Sequence, residues 1–158
     1  MTSQPRGHRI YVTGVALAGR RELLRVIGAA LLPPFDPRMP ARQNQYAMQA
    51  RTQSSETRLP SFIRTSDGAI FVADAQVSRL PADLDALTRF ADLLTRAGRD
   101  PLTYPTVIAL NKHDLPHICR IDDIRPAVVT SNYAIVPTIA RRGEGALGAL
   151  RTLIGLLG

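Results

Sequence analysis

Short apolar runs alternate along this chain with segments whose apolar residues recur at helical spacing. Such runs are typical of strands that are buried on both faces of a parallel sheet, and they occur at residues 10–13, 68–74, 106–110 and 134–136. Helical spacing predicts helices over residues 20–32, 81–98, 122–128 and from about 144 onward. Because strands and helices alternate, we expect an α/β fold with a mostly parallel, doubly wound sheet.

Residues 33–66 interrupt this alternation. They hold five of the twelve prolines and few large aliphatic residues. The pattern predicts little there beyond a short strand or helical turn around 46–50 and a turn near 59–64. A length of 158 residues lies in the range of a single domain, so we expect one domain over 1–158, with 33–66 as an irregular segment within it.

Composition excludes several classes of protein. No apolar run approaches the roughly 20 residues of a membrane-spanning helix, and no secretory signal is recognisable. These features favour a cytoplasmic protein without integral membrane association. The lone cysteine, Cys119, cannot form an internal disulfide, and the sequence has no Cys/His cluster with zinc spacing.

The charge of the chain points first to an anionic partner. A formal net charge of +7 and an isoelectric point near 10.7 are typical of proteins that bind nucleic acid or an anionic membrane surface. The basic residues are scattered, however, and they are not interleaved with aromatic residues as in single-strand binders. We therefore do not expect a nucleic-acid partner. Nineteen of the twenty basic residues are arginine, and Lys112 is the only lysine.

A glycine-rich turn follows the first predicted strand. Residues 14–21 read G-V-A-L-A-G-R-R, with the glycine spacing of the NTPase phosphate loop G-x-x-x-x-G-K-[ST] in the same strand-to-helix position. Gly14 and Gly19 occupy the two glycine positions. Arg20 replaces the lysine, and Arg21 replaces the Mg²⁺-binding hydroxyl residue. Since a guanidinium cannot ligate Mg²⁺, the turn is either a degenerate phosphate site or an ordinary strand-to-helix connection.

The predicted strand at 106–110 ends in a second motif. Residues 111–114 read N-K-H-D, which matches N-K-x-D, the guanine-recognition motif of GTPases. The carboxylate of Asp114 can accept hydrogen bonds from the N1–H and the exocyclic amine of guanine, a pair that adenine does not offer. The stem of Lys112 can lie along the purine face, and Asn111 can brace neighbouring loops. The alternative is a plain surface turn, but the motif follows a buried strand and holds the only lysine, which favours a guanine site.

The last predicted strand leads into a further candidate base contact. Residues 136–140 read V-P-T-I-A and lie where GTPases place a loop whose backbone N–H contacts the guanine oxygen. The match rests on position rather than on sequence. It nominates Thr138 and Ala140 as guanine-binding residues.

Residues 67–76 and 104–116, together with the helix between them, resemble the bacterial MglA-type small GTPases, which are Ras-like switches of cell polarity and gliding motility. The resemblance extends more loosely over 9–32 and 133–157 and is absent over 33–60. It implies a three-layer, P-loop NTPase-like (Ras-like) fold. It also implies GTP, GDP and Mg²⁺ as ligands and a Roadblock-domain protein as partner.

Departures from that family mark the chain as a degenerate member. The family carries D-x-x-G after its third strand, and no aspartate in this chain has a glycine three residues later. The threonine of the first switch has no identifiable equivalent, Thr52 and Thr57 being guesses. Only about fifty residues separate the glycine-rich turn from Asp67, so we expect the second and third strands to be reduced or missing.

These losses bear on the phosphate chemistry more than on guanine recognition. Without the Mg²⁺ hydroxyl, we doubt that Mg²⁺ binds and expect GTP hydrolysis to be weak or absent, with no catalytic residue to nominate. The favoured function is a guanine-nucleotide-binding regulatory or interaction module, a pseudoGTPase. The alternative is a nucleotide-free scaffold for a Roadblock-type or other protein partner, and a third hypothesis is a binder of anionic surfaces.

Overall fold

A parallel sheet of five strands forms the centre of the described structure. The computed structural model describes residues 8–15, 18–31, 46–50, 63–128 and 133–158. The strands are β1 (His8–Gly14), β2 (Tyr46–Ala50), β3 (Gly68–Asp74), β4 (Thr106–Asn111) and β5 (Ala134–Pro137). They are arranged in the order β2-β1-β3-β4-β5, and every neighbouring pair is parallel. The predicted α/β fold with a parallel sheet is confirmed.

Helices connect the strands and cover the sheet. They are α1 (Arg20–Leu31), α2 (Leu80–Arg96), the short α3 (Ile121–Ile124) and α4 (Ala146–Leu157). Helices α1 and α4 pack against each other, while α2 packs against β3 and β1. The chain moves through α1 toward one edge of the sheet and through α2 toward the other, and right-handed crossovers then place these two helices on opposite faces. Every residue of β3 and β4 is buried, as three layers require.

Two helices have boundaries that differ from the predicted ones, because of a proline in one case and a glycine in the other. The helix predicted over 122–128 is α-helical only to Ile124 and continues as a 3-10 turn, Arg125–Val128, because Pro126 cannot donate a backbone hydrogen bond. The helix predicted from about 144 begins at Ala146, since Gly145 adopts a left-handed φ of 76°. Within the described ranges, no helix has both the length and the apolar character needed to cross a membrane.

One strand, β2, lies where the sequence predicts either a short strand or a helical turn. β2 pairs with β1 in parallel, from His8 opposite Tyr46 to Val12 opposite Ala50. Residues 63–65 form a helical turn ahead of β3. The two threonines considered for the first switch, Thr52 and Thr57, lie outside the described residues.

Candidate functional site

The carboxyl ends of β1, β4 and β5 are joined by one buried amide. Asn111, at the end of β4, is 2% exposed. Its Nδ2 donates to the carbonyl of Ala18 at 2.7 Å, in the glycine-rich turn. Its Oδ1 accepts from the hydroxyl of Thr138 at 3.1 Å and from the backbone N–H of Ala140 at 2.9 Å. Asn111 therefore ties the turn after β1 to the loop after β5.

The glycine-rich turn adopts a backbone that side chains would obstruct. Gly14 has a φ of 144°, and a Cβ there would lie 2.1 Å from the carbonyl oxygen of Val72 on β3. Gly19 has a φ of 96°, and a Cβ there would lie 2.3 Å from Nδ2 of Asn111. Both glycines are needed for the turn to pass this close to its neighbours. Arg20, the next residue, opens α1.

Arg20 and Arg21 thus stand in the first turn of α1, where backbone N–H groups and the helix dipole favour anions. Arg21 is exposed. The turn brings positive charge to this end of the sheet, and it supplies no hydroxyl at the position where the phosphate-loop motif has one.

Lys112 is held by a carboxylate at the end of β3. Its Nζ donates to Oδ2 of Asp74 at 2.9 Å, and the Asp74 side chain is only 2% exposed. Burial works to raise the pKa of Asp74, but hydrogen bonds from the backbone of Gln76 and from Lys112 outweigh it, so the pKa lies below its usual value. Asp74 is therefore ionised at neutral pH and holds the Lys112 ammonium at its side of the site.

A second buried carboxylate supports Asp74 from α2. Asp83 is 3% exposed, and both its oxygens lie 3.2 Å from the backbone nitrogen of Asp74. Burial raises the pKa of Asp83 to about 7; the Asp74 N–H lowers it in part, and the negative charge of Asp74 raises it further. Asp83 therefore carries a proton in the folded protein well above the pH at which it ionises in the unfolded chain.

Asp83 makes the stability of the protein depend on pH. A pKa raised by folding stabilises the protein at low pH, and that contribution is lost as the pH rises toward about 7. We expect the free energy of unfolding to fall by about 2 kcal/mol between pH 5 and pH 7 through this group. Asp83→Asn, which stays neutral and still accepts the Asp74 N–H, should remove that slope. Urea denaturation of both proteins at pH 5, 6 and 7 measures it, and parallel pH profiles would contradict the assignment.

Asp114 forms an ion pair across the opening of the site. Its Oδ2 accepts a hydrogen bond from the guanidinium of Arg141, in the 3-10 turn Ala140–Arg142 that follows β5. Desolvation works to raise the pKa of Asp114, but its own backbone N–H and the nearby Arg141 and Arg142 lower it below the usual value. The Asp114 side chain is 6% exposed, whereas that of Arg141 is 59% exposed. Arg141 thus lies over the carboxylate with its outer side in solvent.

These groups surround a cleft of about 230 Å³ at the carboxyl ends of the strands. Its lining comes from the start of α1, the segment after β4 and the loop after β5: Glu22, Asn111, Lys112, Asp114, Leu115, Ile139, Ala140 and Arg141. Ligands of open parallel sheets bind at this edge. The structure therefore brings Asn111, Lys112, Asp114 and Ala140 around one space.

The sequence did not indicate Glu22, which also lines this cleft; it follows the nominated Arg21 directly, and that adjacency is the available signal. The pair Arg141-Arg142 follows the predicted guanine loop, where its charge suits a phosphate-rich ligand, and in the structure Arg141 lines the cleft and pairs with Asp114. The contact between Asp74 and Lys112 has no signal in the sequence. Ala140 is nominated because its loop lies where GTPases contact the guanine oxygen through a backbone N–H. In this structure the Ala140 N–H donates to Asn111.

The chain is similar to a curated gliding-motility protein. A segment of 91 residues, 58% of the chain, is 32% identical to the mutual gliding-motility protein MglA of Myxococcus xanthus (strain DK1622). This similarity supports a relationship with the small GTPases. The matched segment covers 47% of MglA, so the chain spans about half the length of that relative. No protein-family model matches the chain.

The first turn of α1 lacks the oxygen ligand that the phosphate-loop motif provides for Mg²⁺. Among the described residues, no three His, Cys, Asp or Glu side chains come together in a group that could hold a metal ion. At the position where the motif has an oxygen ligand, Arg21 offers only N–H donors, and Mg²⁺ binds oxygen.

Proposed function

We propose that this protein binds guanine nucleotides at the cleft beyond β4 and β5 and hydrolyses GTP slowly or not at all. One observation carries the proposal: Asn111, Lys112 and Asp114 of the N-K-x-D motif line a single cleft, together with Ala140. The similarity to MglA adds independent support for guanine-nucleotide binding. By the same resemblance, the role is that of a cytoplasmic regulatory or interaction module in cell polarity or motility.

The chemistry of the cleft suits a purine base. An ionised Asp114 accepts the N1–H and the exocyclic amine of guanine, and charge-assisted pairs of this kind are both strong and directional. The ammonium of Lys112 is held by Asp74, so its aliphatic stem is available to pack against the face of the base. The volume of about 230 Å³ is below the range for whole drug-sized ligands. The base would occupy the cleft, and the phosphates would extend toward Arg20 and the start of α1.

Hydrolysis is expected to be weak because the chain lacks the groups that stabilise phosphoryl transfer. Arg20 and Arg21 would supply positive charge near the phosphates, but the chain has neither the Mg²⁺-binding hydroxyl of the phosphate-loop motif nor a D-x-x-G sequence. Removal of one such electrostatic contribution commonly costs a hundredfold or more, about 10²–10³, in rate. The protein is therefore a pseudoGTPase in this proposal: it acts by binding the nucleotide and not by hydrolysing it.

A nucleotide-free scaffold is the second candidate function, and a specific observation favours it. Asp114 pairs with Arg141 and Lys112 pairs with Asp74, so the two charged side chains of the motif are already satisfied within the chain. In this alternative the fold serves a protein partner, for which a Roadblock-domain protein is the candidate by resemblance. A measurement of nucleotide binding distinguishes the two candidate functions.

Titration calorimetry tests the proposed function directly. We expect GDP and GTP to bind and ADP to bind at least about tenfold more weakly, because adenine leaves Asp114 without its paired donors. EDTA should leave the affinity for GDP unchanged, because the described residues hold no Mg²⁺ ligand set. Equal affinity for ADP, or no binding of GDP at millimolar concentration, would favour the nucleotide-free scaffold.

A further inference from the structure

We propose that Arg141 sets the guanine affinity of this protein by occupying the Asp114 carboxylate that the base needs. The inference rests on the proposed function and adds a residue to it. The cleft would exist in two forms: one in which the Arg141 guanidinium pairs with Asp114, and one in which guanine replaces it. The first form is the one that the structure describes.

Guanine can replace the Arg141 guanidinium at the Asp114 carboxylate because the two donor groups are alike. A guanidinium is planar and presents neighbouring N–H groups that match the two oxygens of a carboxylate. The N1–H and exocyclic amine of guanine form the same kind of planar donor edge. Asp114 cannot pair with both edges at once, so Arg141 and the base compete for the same oxygens.

The backbone keeps Arg141 close to Asp114. Ala140, the preceding residue, is 1% exposed and is fixed by the hydrogen bond from its N–H to Asn111. Gly143 ends the 3-10 turn at a left-handed φ of 74° and donates its N–H to the carbonyl of Ala140 at 3.0 Å. Only the side chain of Arg141 is left to move, and it is already 59% exposed. Releasing it into water therefore disturbs no packed core.

The Lys112 ion pair in the same cleft is held more firmly than the Arg141 pair. Lys112 is 30% exposed and its partner Asp74 also accepts from Gln76, whereas Arg141 is 59% exposed. A half-exposed ion pair is weak and is easily exchanged. The Lys112 pair therefore stays when a base enters, and the Arg141 pair is the one that opens.

The expected effect follows from the fraction of molecules with Asp114 accessible. If the ion pair closes the carboxylate in most molecules, the observed dissociation constant is raised in inverse proportion to the open fraction. For a pair of this exposure, the closed form is favoured by a factor of roughly five or less. Removal of Arg141 should tighten binding by about that factor.

The experiment compares R141A with R142A in titration calorimetry, using GDP and the uncharged nucleoside guanosine. Both variants lose one positive charge, but only Arg141 donates to Asp114. We expect R141A to bind guanosine roughly three- to fivefold more tightly than wild type, and R142A to bind it unchanged. If circular dichroism shows that R141A is poorly folded, R141Q repeats the comparison with a neutral side chain that is longer than alanine.

Two results would overturn the inference in distinguishable ways. If wild type binds GDP but R141A binds guanosine no more tightly, Arg141 does not compete with the base, and the proposed function stands without it. If neither wild type nor the Arg141 variants bind GDP or guanosine, the proposed function fails and the inference fails with it.

Discussion

Asp114→Ala should lower the affinity for GDP by about a hundredfold and abolish the preference for GDP over ADP. The carboxylate is the group in the cleft that distinguishes guanine from adenine, because it accepts two hydrogen bonds that only guanine donates. Hydrogen bonds to a charged group contribute more than neutral ones, and the loss of two of them accounts for an effect of roughly this size. Titration calorimetry with both nucleotides measures it.

The matched control is Asp92→Ala, which removes the same charge from an exposed position on α2 outside the cleft. That variant should bind GDP as wild type does. Asp114→Ala should also keep its fold, because the partner that loses its contact, Arg141, is 59% exposed and is solvated by water instead. GDP binding that survives Asp114→Ala unchanged would remove the central support for a guanine site and favour the scaffold.

Much of the fold could be predicted because burial leaves a strong pattern. The predicted strand at 68–74 and β3 have the same bounds, Gly68–Asp74, since a strand covered on both faces is apolar throughout and polar residues mark its ends. The sequence could not decide between a strand and a helical turn for β2, because the segment Tyr46–Ala50 is five residues long and shows neither period clearly. Its pairing with β1 decides its structure.

The candidate site was likewise predictable only in part. Residues that follow a buried strand were predictable because parallel strands bring their carboxyl ends to one edge. The ion pairs were not, because each depends on how closely two separate loops approach. Lys112 and Asp74 are 38 residues apart, and Arg141 and Asp114 are 27 apart. No local pattern encodes such distances, so the partner of each charge became visible only in the folded chain.

Asn111→Ala should lower the free energy of unfolding by about 3 kcal/mol. The substitution leaves the carbonyl of Ala18, the hydroxyl of Thr138 and the N–H of Ala140 without their partner, and all three residues are almost completely buried. An unsatisfied buried polar group costs about 1–3 kcal/mol, and three groups lose their partner here. Total stabilities of small domains are about 5–15 kcal/mol, so urea denaturation will resolve the change easily.

Thr138→Val provides the matched control, because it removes only the hydroxyl that donates to Asn111. The amide oxygen keeps the Ala140 N–H, and the cost should be about 1 kcal/mol. Asn111→Ala should in addition weaken GDP binding in the protein that remains folded, since the glycine-rich turn and the loop after β5 are then no longer joined. Equal losses of stability in the two variants would mean that other contacts hold these loops, and the cleft would then not depend on Asn111 for its shape.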